Sequence, residues 1–178
     1  MAAPDTVLLG LHDTLDWLGS LVADRDHADA ATDTVRIDRI AVLERLQASL
    51  EAVKAVEMVA FARLQTAEQI AHGMHPRAIG RGIADQIALA CRVSPSEGSR
   101  RLHTARDIVL DMPHTLALLS RGDLNGWTVR LITEQTSHLD RATRSAVDAD
   151  LAARPSGDAS RGRSARSATL RTRPSRRP

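Results

Sequence analysis

The sequence predicts an all-α domain of about seven helices, one of them long, followed by a disordered tail. Three observations predict it. The hydrophobic fraction is 43% but only 2% of residues are aromatic. The core must therefore be built from Leu, Ile, Val and Ala, two of which are the best helix formers. Apolar residues recur at three- and four-residue spacing, with no convincing strand alternation. After Arg154 that spacing stops, and Arg, Ser, Pro, Ala, Gly and Thr take over. Such a segment buries too little surface to offset its chain entropy. The expected organisation is a helical domain at 1–154 and a disordered tail at 155–178.

The first helix is predicted over Thr6 to Ala23, with Val7, Leu11, Leu15, Leu18 and Val22 on one stripe. The polar stretch Asp24 to Asp33 reads as a loop. Asp33 or Thr34 can cap the second helix, expected over 34–71, because a short oxygen side chain accepts a free N–H of the first turn. Leu43, Leu46, Leu50 and Val53 follow a three-four rhythm there, continued by Val56, Ala60, Leu64, Ala67 and Ala71. No Gly or Pro interrupts it, so it would span on the order of 55 Å. That exceeds a small domain and predicts a projecting end or pairing with a second copy. The run from His72 to Pro76 ends the helix, since Gly73 suits the left-handed position and Pro76 cannot continue a helix.

A third helix is predicted from Gly82 to Cys91 and a short turn at Arg92-Val93. Ser94-Pro95-Ser96-Glu97 then starts a fourth: Ser94 caps, Pro95 takes the position whose N–H is unneeded, and Glu97 completes a capping box. This helix is expected to reach Leu110, with Leu102, Ala105, Ile108 and Val109 inward. Met112-Pro113 starts a short fifth helix and Gly122 stops it. Asp123 or Asn125 caps a sixth carrying Trp127, Leu131 and Ile132, with Trp127 expected to pack on the fifth. Asp140 caps a seventh, with Ala146, Val147 and Leu151 on one side.

Charge is segregated along the chain. The overall charge is +2 and the pI about 9.4, which invites a polyanion partner. Residues 155–178 hold seven Arg and one Asp, a charge of +6, which leaves −4 on residues 1–154. The single cysteine, Cys91, excludes an internal disulfide. No signal-like N-terminus and no apolar run of ~20 residues is visible, so cytoplasmic residence and no membrane contact are expected.

Residues 83–153 resemble the domain-of-unknown-function 222 family, also called the 13E12 repeat family. The resemblance rests on the turn Arg92-Val93-Ser94-Pro95, on Ala105-Arg106, on Met112-Pro113-His114-Thr115, on Gly122-Asp123-Leu124 and on the closing Val147-Asp148-Ala149-Asp150-Leu151. Residues 35–70 fit its long helix more loosely. In that family the helical domain commonly precedes an HNH endonuclease module, so the resemblance implies a nuclease-associated role with DNA as partner. The nuclease chemistry itself does not carry over. It needs two His residues on a β-hairpin, and no His follows His138. The composition beyond Arg154 is what GC-rich DNA gives when read in a wrong frame. That predicts a truncated or frameshifted product, with a genuine disordered arm as the alternative.

Candidate chemistry is sparse. His72 and His75 have ligand spacing, but the Gly and Pro between and after them favour a loop, and no metal is expected. Asp148 and Asp150 point different ways on a helix, so no acid-base pair forms. No Gly-rich phosphate loop exists, and no enzyme activity, cofactor or small-molecule ligand is expected. Residues 87–106 read as a helix-turn-helix, whose second helix enters the major groove in proteins that use it. Ser96, Ser99, Arg100 and Arg101 would face DNA, with Arg92 in the turn and Arg106 near phosphate. Two departures stand out: Arg92 occupies a turn position that is usually Gly, and Gly98 replaces the usual branched apolar residue. Three readings follow: a non-catalytic domain of a nuclease-associated family, a DNA-binding module at 87–106, and a dimerisation or scaffold domain on the long helix. Translation of the downstream DNA in the other two frames tests the frameshift. Continued helix and a His-rich module are expected there, and their absence from both frames removes the idea.

Overall fold

The computed structural model describes residues 6–23 and 32–153. The expected tail at 155–178, and most of the expected loop at 24–33, lie outside them. The described residues form seven α-helices and no strand. They are α1 (Thr6–Ala23), α2 (Asp33–Ala71), α3 (Ile83–Ala90), α4 (Pro95–Arg106), α5 (Pro113–Ser120), α6 (Gly126–Thr136) and α7 (Arg141–Ala153). A 3-10 turn at Pro76–Ala78 and a π-helical turn at Asp107–Asp111 are the additions that sequence periodicity did not anticipate. The chain divides into two compact units, residues 1–42 and 43–178. The first holds α1, none of whose residues is buried, and the opening turns of α2. The second holds everything described below.

Helix α2 decides the packing of the second unit. Its buried residues are Ala48, Ala52, Ala55, Val59 and Ala62, a three-four seam of mostly methyl side chains. Ala costs no rotamer entropy on burial. The seam joins Ala105, Ile108, Leu119 and Val129 in one core cluster, while Ala62 joins Ile83, Ile87 and Leu102 in another. At 100° per residue, Leu43, Leu46, Leu50, Val53 and Leu64 fall on the opposite side of the helix. They remain 41–66% exposed. The leucine rhythm of the sequence is thus present, but it faces away from the core.

Polar side chains of α2 fasten the α5–α6 corner. Arg45 donates to the Arg121 carbonyl at 3.3 Å and Ser49 to the Ser120 carbonyl at 2.7 Å, which serves carbonyls that the end of α5 leaves without helical partners. Gly122 follows at φ +73°, and a Cβ there would fall 2.6–2.8 Å from Arg45. The corner needs glycine for both its backbone angle and its contact.

Helix α7 corrects the expectation that Ala146, Val147 and Leu151 form its inner face. Its buried residues are Arg144 and Asp148; Val147 and Leu151 are half-buried and Ala146 is exposed. Asp148 accepts from the backbone N–H of His114 and of Thr115, each at 2.8 Å, and from the Thr115 hydroxyl at 2.5 Å. It caps α5 from another helix, which explains why Met112 makes no local cap. Arg144 pairs with Asp107 at 2.6 Å and Asp111 at 3.3 Å, and Arg141 with Asp111 at 2.8 Å. These pairs hold the π-helical turn that replaces the regular end expected for α4. Trp127, expected to pack on the fifth helix, is 64% exposed.

Two measurements check this polar frame. Asp148→Ala leaves buried N–H and O–H donors unsatisfied and is expected to cost about 3 kcal/mol in urea denaturation. Asp140 is the fully exposed cap of α7 and accepts from the Thr143 N–H at 2.9 Å. That bond, followed by the Thr143 hydroxyl, holds its carboxyl below the usual value of 3.8. A depressed folded value means the stabilisation is present above pH 3.8 and fades as pH falls below it through the folded value. Asp140→Ala is therefore expected to lower the melting temperature at pH 7 and to narrow its gap to the wild type under strong acid.

Candidate nucleic-acid interface

Residues 87–106, expected as a helix-turn-helix, lie in α3, a four-residue connection and α4. Helix α3 ends in a Schellman motif: the Val93 N–H donates to the Ala88 carbonyl at 3.0 Å and the Arg92 N–H to Leu89 at 3.1 Å. Arg92 then carries φ +55°, the only non-glycine among the described residues with positive φ. The same motif ends α2 at Gly73 and α5 at Gly122, both glycines with positive φ. Arg92 stands in the left-handed conformation where this chain elsewhere uses glycine, at a cost of about 1–2 kcal/mol.

Ser94 caps α4 by accepting from the Glu97 N–H at 3.3 Å, with Pro95 in the first turn. Gly98 sets how closely the two helices meet. A Cβ on it would lie 2.5 Å from the Ala88 Cβ and 2.8 Å from the Ala84 carbonyl oxygen. The missing branched residue is thus an exchange of one lock for another: a Gly–Ala contact replaces an interdigitated side chain.

The exposed side of α4 carries Ser96, Ser99, Arg100 and His103, with Arg92 exposed in the turn before it. At 100° per residue the four helical positions lie within about 100° of one another. His103 was not singled out in the sequence, because only its place opposite Gly98, Leu102 and Ala105 identifies it. The other predicted residues separate from this face. Arg101 is half-buried and donates to Glu97 at 2.9 Å, and Arg106 is half-buried. Arg100 also pairs with Glu97 but keeps 56% of its side chain exposed. Arg100 and Arg101 reach a groove of about 380 Å³ between α2, α4 and α6, whose rim adds Lys54, Trp127 and Arg130. The Glu51 carboxylate lies against Gly126 at the start of α6 and lines the same groove.

No group of three or more His, Cys, Asp or Glu among the described residues has the arrangement of a metal site. His75 accepts from the Arg77 N–H at the 3-10 turn, and His72 Nδ1 donates to the Glu68 carbonyl, so each serves the loop between α2 and α3. No described helix is long and apolar enough to cross a membrane.

The family described as Domain of unknown function (DUF222) matches over residues 40–174, about three quarters of the chain. The chain belongs to the DUF222 family. The match covers α3 to α7 entirely, includes most of α2, and continues 20 residues beyond Arg154, further along the chain than the pattern in the sequence placed it. No curated protein and no solved structure matches.

Replacing Arg92 with Gly removes the backbone strain at the cost of a more flexible unfolded chain. Arg92→Gly is expected to stabilise the fold by up to about 1 kcal/mol in thermal denaturation. Gly98→Val is expected to destabilise it severely by forcing α3 and α4 apart.

Proposed function

We propose that this DUF222 chain is a non-catalytic helical domain that docks on duplex DNA through the outward face of α4. It would belong beside the HNH nuclease modules that the resemblance implies for the family. The observation that carries the reading is Arg92. A non-glycine residue in the left-handed region signals a side chain kept despite its backbone cost. Here that side chain is a guanidinium in the turn leading to a helix face bearing Ser96, Ser99, Arg100 and His103. Short hydroxyls and a guanidinium with exposed length suit phosphate and base-edge contacts in a major groove. The acidic balance of residues 1–154 confines attraction to this local patch and to the Arg-rich segment after it.

Fluorescence anisotropy with a duplex of about 20 base pairs, over a range of salt, tests the reading in the full chain and in residues 1–154. Removing 155–178 is expected to lower affinity and flatten the salt dependence, since fewer phosphates are neutralised. Residual binding by 1–154 is expected to fall about tenfold in Arg100→Ala and in Arg92→Gly, the second despite its greater stability. Binding that disappears with residues 155–178, or that ignores both substitutions, overturns the proposal.

A further inference from the structure

The stripe on the outer side of α2 has the composition of an interface. Leu43, Leu46, Leu50, Val53 and Leu64 are large aliphatic residues, each at least 41% exposed. With the half-buried Phe61 at its edge, the stripe offers on the order of 500 Å² of apolar surface per copy. Two such surfaces together approach the ~1,000 Å² that a specific interface needs.

The charges along the stripe are self-complementary in one direction only. An antiparallel pairing centred between residues 53 and 54 sets Leu43 level with the partner's Leu64 and Leu46 level with the partner's Phe61. Each Glu57 is then level with the partner's Leu50 and about 6 Å along the axis from the partner's Lys54, within reach of a lysine side chain. Lys54 and Glu57 are both exposed, and neither forms an ion pair with any described residue. A parallel pairing in register would instead set Glu57 against the partner's Glu57 inside an apolar seam, where like charges repel. We infer that the chain forms an antiparallel homodimer along residues 43–64 of α2, with its register set by reciprocal Lys54–Glu57 pairs. The occupant is a second copy because the apolar ends of the stripe and the two opposite charges, unpaired among the described residues, match themselves on reversal. This interface lies on α2 and meets the α4 face proposed for DNA only at Lys54, which also rims the groove that Arg100 reaches.

Sedimentation equilibrium of the full chain tests the inference, with circular dichroism confirming that each variant is folded. The wild type is expected to be dimeric at micromolar concentration. Leu50→Ser is expected to weaken the dimer at least tenfold while keeping its helicity. Lys54→Glu and Glu57→Lys each place like charges together and are expected to weaken it about tenfold. The double variant Lys54→Glu/Glu57→Lys restores opposite charges and is expected to come within about threefold of the wild type. A monomeric wild type at 100-fold higher concentration (roughly 100 µM) overturns the dimer. A Leu50→Ser chain that dimerises as tightly as the wild type overturns the stripe, and a double variant as weak as the single ones overturns the antiparallel register.

Discussion

The burial of α2 along Ala48, Ala52, Ala55, Val59 and Ala62 is the constraint on which the second unit depends. Four of the five seam positions are methyl side chains, and with Ala105, Ile108, Leu119 and Val129 the seam forms a core with almost no aromatic residue. The same choice has a second consequence. A helix has one circumference, and when alanine takes the core side, the bulky aliphatic residues at the same period occupy the other. The exposed stripe and the alanine core are two results of one arrangement.

Around that seam, polar groups finish what the apolar core leaves open. The short helices of this unit leave many terminal N–H and C=O groups without intrahelical partners. Asp148 on α7 serves the start of α5, Arg45 and Ser49 on α2 serve its end, and Arg144 ties the π-helical turn between α4 and α5. These bonds cross between elements distant in sequence, so they position helices as well as terminate them. On α4, Ser96, Ser99 and His103 stay exposed, while Glu97 pairs with Arg100 and Arg101 beside the groove.

Much of this was legible in the sequence because its signals are local. Ser94-Pro95-Ser96-Glu97, Asn125 and Asp140 name their helix starts through bonds made within three residues, and Gly73 and Gly122 name helix ends through their backbone angle. What could not be read depends on partners far along the chain. Periodicity picks out the leucine rhythm on α2 but does not say that the remaining helices will cover the alanine side instead. The inner face of α7 was missed because Arg144 and Asp148 look like solvent residues until Asp107, Asp111 and the start of α5 are placed against them. Trp127 misled for the opposite reason: a large apolar side chain suggests burial, yet it stands in the first turn of α6 at the rim of a groove. At the helix-turn-helix, Arg92 and Gly98 were visible as departures. Only the φ of +55° and the contact with Ala88 show that one stores strain and the other removes a clash.

The two-faced character of α2 is tested most directly by comparing Ala52→Leu with Leu46→Ser. Urea denaturation serves, at a protein concentration low enough that the midpoint no longer depends on it. Added volume at this buried seam position forces its neighbours to shift, so Ala52→Leu is expected to destabilise the fold by about 1–3 kcal/mol. Leu46→Ser on the outer stripe is expected to stay within about 0.5 kcal/mol of the wild type. A well-tolerated Ala52→Leu together with a strongly destabilised Leu46→Ser would mean that the leucines face the core, and the account of this fold would be wrong.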